Sequence, residues 1–76
     1  MYHSLNLSEV SALKRMLKEK FRVELHFDNE YSAEEFWFDA VPSEALTRAL
    51  DKFLAKKRMR AVFTPDGTRF TLEGRF

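Results

Sequence analysis

The segment EEFWFDAVP, Glu34 to Pro42, sets three consecutive aromatics between carboxylates. On an extended chain, successive side chains point to opposite faces. Phe36 and Phe38 therefore share one face, and Glu35, Trp37 and Asp39 share the other. Turning the phenylalanines inward buries two large aromatics and leaves both carboxylates in water. The reverse would desolvate two charges to bury one indole. Parity thus sends Phe36 and Phe38 to the core and Trp37 to the outer face. A chain of 76 residues suits one domain, and it can cover one face of a sheet but hardly two. The chain is expected to fold as a sheet with one covered and one open face, Trp37 lying on the open one.

The remaining segments supply the cover. Asn6 and Glu9 have the spacing of a capping box, and Leu5 and Val10 that of a hydrophobic staple. Val10, Leu13, Met16 and Leu17 follow at helical spacing, with Lys18 and Lys20 at the negative end of the dipole, which predicts a helix over about 7–20. FRVELHF alternates strictly and predicts a strand over 21–27. DNEYSAE reads as a polar connection to a second strand over about 35–40. Pro42, Ser43 and Glu44 then mark the start of a second helix, over about 43–57. Its apolar stripe is Ala45, Leu46, Ala49, Leu50, Phe53 and Leu54. Glu44 and Arg48 form an i,i+4 pair, and Lys56, Lys57 and Arg58 close the helix.

The last quarter reads as strands over about 59–64 and 68–75 around TPDG. A four-residue loop, Thr64 to Gly67, sets Phe63 opposite Thr68, Ala61 opposite Phe70 and Met59 opposite Leu72. A three-residue loop sets Arg60 opposite Leu72 and turns the face over, so burial selects the longer loop. The order is α-β-β-α-β-β. LKRMLKEK at Leu13–Lys20 also echoes LDKFLAKK at Leu50–Lys57, with one residue inserted before the strand that follows. The expected fold is α+β: a two-layer sandwich of one antiparallel four-stranded sheet with two helices on one face, over residues 1–76 as a single domain.

Several chemistries are set aside by composition. With no cysteine, a disulfide scaffold and a thiolate zinc site are excluded. His3 and His26 lack ligand spacing, and DNE at Asp28–Glu30 lacks the pattern of a calcium loop. No metal and no cofactor are expected. No nucleophile elbow, phosphate loop or HExxH helix occurs. Glu24 with His26, or Glu35 with Asp39, share a strand face without implying a cleft, so the chain is expected not to be an enzyme. The start MYHSLNLSEV has no leader pattern and no segment is long and apolar enough to span a bilayer. The expectation is a complete small cytoplasmic protein without a membrane partner.

Charge is segregated. Val23 to Thr47 contains seven acidic residues and no Lys or Arg, which reads first as pairing between neighbouring elements and second as a surface that orients a charged partner. The open face collects Trp37 with Arg22, Arg60, Arg69 and Arg75, residue types enriched at the centres of protein interfaces. It is the expected site of protein–protein contact or self-association, a twofold homodimer included, with Phe76 beside it. The process would be regulation, inhibition or assembly. The alternative is nucleic-acid binding, in which Lys14, Arg15, Lys18, Lys56, Lys57, Arg58 and Arg60 meet phosphates and Trp37 stacks on a base. The net charge of +1 and pI near 8.1 weigh against it.

Overall fold

A computed structural model of the chain describes residues 4–28 and 32–74. The elements are β1 (Leu5–Asn6), α1 (Leu7–Phe21), β2 (His26–Phe27), β3 (Ser32–Ala33), β4 (Glu35–Trp37), α2 (Glu44–Ala55), β5 (Met59–Phe63) and β6 (Arg69–Gly74). An antiparallel four-stranded sheet runs in the order β2-β4-β6-β5, and β1 pairs with β3 apart from it. The fold is α+β, as the sequence predicts. Val10, Leu13 and Leu17 of α1 and Leu46, Leu50 and Leu54 of α2 share one core with Phe36, Phe38, Phe70 and Met59.

The caps explain where the helices begin. Asn6 Oδ1 accepts the Glu9 N–H at 2.8 Å, and Glu9 Oε1 accepts the Asn6 N–H at 3.0 Å. This closes the capping box and satisfies two otherwise orphaned donors. Leu5 and Val10, the staple pair, are both buried. At α2 the Ser43 hydroxyl accepts the Leu46 N–H at 3.2 Å.

The strand expected over 21–27 is shorter than its pattern suggests. Helix α1 runs on to Phe21, and Arg22 then turns left-handed at φ 59° with its N–H still bonded to the carbonyls of Leu17 and Lys18. Only His26 and Phe27 join the ladder. The alternation itself holds: Arg22 and Glu24 are exposed, whereas Phe21, Val23, Leu25 and Phe27 pack on or within the core. Periodicity reported the side-chain faces correctly. It said nothing of cross-strand pairing, which Arg22 to Leu25 do not make as the chain passes from the helix layer to the sheet edge. The second strand is likewise trimmed to Glu35–Trp37, although the Phe38 N–H still donates to the Thr68 carbonyl at 2.8 Å. The expected polar connection holds β3, which pairs Ala33 with Leu5 and Ser32 with Asn6 and so ties the chain start to the sheet hairpin.

The β5–β6 register also differs. Phe63 lies opposite Phe70, Ala61 opposite Leu72 and Met59 opposite Gly74, two residues beyond the expected pairing. A two-residue shift preserves every face, so burial could not distinguish the two. The loop decides. Asp66 Oδ1 accepts from the Thr64 hydroxyl and from the Thr68 N–H and hydroxyl, and the Gly67 N–H donates to the Thr64 carbonyl. Gly67 sits at φ +77°, where a side chain would strain the turn. The loop is Pro65 to Thr68, closed by the Thr64 N–H on the Arg69 carbonyl.

The sequence echo has a structural counterpart. Each helix is followed by a hairpin whose second strand is central in the sheet. Leu13 and Leu17 match Leu50 and Leu54, all fully buried. Both helices are left through a left-handed arginine, Arg22 at 59° and Arg58 at 58°; the inserted residue is Phe21.

Leu50→Ala is expected to cost about 2–5 kcal/mol, read from urea unfolding curves. Arg58→Gly removes a left-handed side chain and is expected to stabilise by about 0.5–1 kcal/mol after the loss of unfolded-state restriction. Glu9 makes a third test. Its carboxyl is held below the ordinary value of 4.5 by the Lys57 ammonium and then by the Asn6 N–H. The folded state therefore resists protonation of Glu9. The stability it adds is present above the ordinary value and is lost as pH falls through the lowered one. Unfolding curves of the parent and Glu9→Gln should converge as pH falls through that window.

Candidate functional site

The open face is organised around Trp37. His26, Trp37 and Arg69 lie in register across β2, β4 and β6. The His26 ring stacks on Trp37 with centroids 5.7 Å apart and planes 19° from parallel. On the other side the Arg69 guanidinium carbon lies 5.5 Å from the indole centroid. Both flanks are anchored by carboxylates of EEFWFDAVP. Glu35 Oε1 accepts from Arg69 Nη1 at 3.1 Å, and Asp39 Oδ2 lies 3.1 Å from His26 Nε2. The residues two before and two after Trp37 thus hold its two neighbours. The indole is half-buried as a result, its faces covered by stems and rings rather than by a second layer.

Around this row the face stays charged and partly apolar. Arg60 of β5 donates to Glu73 of β6 at 3.0 Å. Val62, opposite Thr71, is 41% exposed. The groups of this row project side by side from a sheet surface. Among the described residues no group of three His, Cys, Asp or Glu side chains is placed to hold a metal, and no helix is long and apolar enough to cross a membrane.

The expected site residues separate. Trp37, Arg69 and Arg60 occupy the open face. Arg22 does not join them: as the left-handed exit of α1 it stands off the sheet, beside a surface groove with Lys18, Phe38 and Pro42. Arg75 and Phe76 lie outside the described residues, as does His3. The basic set of the nucleic-acid reading is divided. Lys14 and Lys18 both approach Glu24, at 3.5 and 3.8 Å. Lys57 pairs with Glu9 at 2.8 Å. Lys56 lines a groove between the helices and Arg15 a separate patch near Leu7. Arg58 forms the turn after α2. Part of the charge segregation is taken up by pairing: Glu24 and Glu35 of the acidic segment meet a Lys or Arg of another element, and Glu44 meets Arg48 within α2.

His26 has the expected outward position but is not among the expected site residues. The signal for it was present: it shares the outward parity of its segment, and pairing that segment with EFWFDA brings one outward ring beside the other.

No protein-family model matches the chain, and comparison with curated proteins and with solved structures finds no match.

Arg69 and Trp37 should be energetically coupled. A double-mutant cycle of Trp37→Ala and Arg69→Ala, read by chemical denaturation, is expected to give about 0.5–1 kcal/mol, the scale of an exposed cation–π pair.

Proposed function

We propose that this is a small non-enzymatic interaction domain of the cytoplasm, regulatory in character, which acts through protein–protein contact at the open sheet face. The observation that carries this reading is the braced Trp37, clamped between His26 and Arg69. A tryptophan already fixed in place loses little freedom on binding, and a Trp–Arg pair is typical of interface centres. Arg60 with Glu73 and exposed Val62 extend the surface with both charge signs and an apolar patch. That mixture suits a protein surface better than a polyanion. The pairing of Lys14, Lys18, Lys57 and Arg60 with carboxylates further favours a protein partner over nucleic acid, because each paired cation must release its carboxylate before it can meet a phosphate.

The test compares Trp37→Ala, Arg60→Ala and the parent in affinity capture from the native host. Both variants are expected to keep the parent's circular dichroism while losing at least one captured protein. An unchanged capture profile contradicts the reading. So does tight, salt-sensitive binding of labelled oligonucleotides by the parent, which instead supports the nucleic-acid alternative.

A further inference from the structure

We infer that the free edge of β5 is a strand-addition site for a second copy of this chain. This surface is the strand's hydrogen-bonding edge rather than the Trp37 face, and the two share Arg60 and Val62. The Thr64 N–H donates to the Arg69 carbonyl, which fixes the alternation of the β5–β6 ladder. Arg60 and Val62 turn their backbone groups toward β6, opposite Glu73 and Thr71. Met59, Ala61 and Phe63 therefore aim theirs outward, and among the described residues those groups have no partner. The opposite edge of the sheet is β2, only two residues long, and shortness is itself a protection. Strand β5 has five residues, an uninterrupted register and no proline or lysine, so it lacks the protection of shortness, of a bulge, of proline and of lysine. Its one charge, Arg60, is tied down to Glu73 at 3.0 Å.

The sequence MRAVF also complements itself about a twofold axis. With the axis at Ala61, the central pair is Ala61 with Ala61 of the second copy, the smallest side chain of the strand. Met59 meets Phe63 of the second copy on the core side. Arg60 meets Val62 of the second copy on the open side, so neither arginine opposes its twin. Because the edge-facing residues are 59, 61 and 63, all three resulting pairs are of the doubly hydrogen-bonded kind. The product is a continuous eight-stranded sheet with both open faces on the same side.

Sedimentation equilibrium from micromolar to millimolar concentration tests this. The parent is expected to show a monomer–dimer equilibrium. Ala61→Pro removes one edge-facing N–H per copy, which an edge strand tolerates. It should weaken the dimer about thirtyfold or more, from two lost hydrogen bonds. Val62→Lys sets like charges opposite Arg60 of the second copy and should weaken the dimer, whereas Val62→Glu should tighten it. These two variants carry the test if Ala61→Pro fails to fold. A parent that stays monomeric at millimolar concentration overturns the proposal, as it would if the edge served only a foreign strand. A dimer that Trp37→Ala disrupts while the Ala61 and Val62 variants leave it unchanged also overturns it, and assigns self-association to the open face.

Discussion

Phe36 and Phe70 hold the molecule together. They sit opposite each other on the two central strands, fully buried, with ring centroids 4.8 Å apart and planes 9° from parallel. Phe63 and Phe38 lean on Phe70 from either side, at 5.1 and 5.9 Å. Burial of each such ring contributes about 1.5–3 kcal/mol, and offset aromatic pairs add to that. The two hairpins have no turn linking them in the sheet; β4 and β6 are joined by this contact, the short ladder beside it and the contacts of Arg69 with Glu35 and Trp37. Both helices then close over the same cluster.

The same short segment that supplies Phe36 also builds the outer surface. Glu35 and Asp39 set the parity because neither tolerates burial. In the folded chain they perform a second task, since one holds Arg69 and the other holds His26 against Trp37. Core and open face are thus coupled through one stretch of backbone. A change that displaces Phe36 moves the braced indole with it.

What could be read from the chain beforehand follows a physical division. Parity, capping and helical stripes depend on local side-chain chemistry, and these were legible: Asn6 with Glu9, the leucines of both helices, and the inward or outward sense of Phe36, Trp37 and Phe38. Partners depend on which groups the backbone actually pairs, and those were less so. Segment 21–27 alternates like a strand but spends Phe21 in a helix and leaves Arg22 to Leu25 outside the sheet ladder. The β5–β6 register slid by two residues because such a shift costs no face, and the side chain of Asp66, not burial, settled it. Arg22 left the expected site for the same reason that the strand was shortened: it ends a helix. His26 entered the site because cross-strand neighbours follow from register, which a single strand does not reveal.

Trp37 is the chain's only tryptophan, so its fluorescence reports the central claim directly. The most direct measurement is acrylamide quenching of the folded protein at the lowest usable concentration. With Trp37 on the open face, the indole should be readily quenched, and Arg69→Ala should raise the quenching further by uncovering one side of the ring. A blue-shifted emission that acrylamide scarcely quenches, unchanged by Arg69→Ala, would put Trp37 in the core and contradict the parity from which the fold and its site are built.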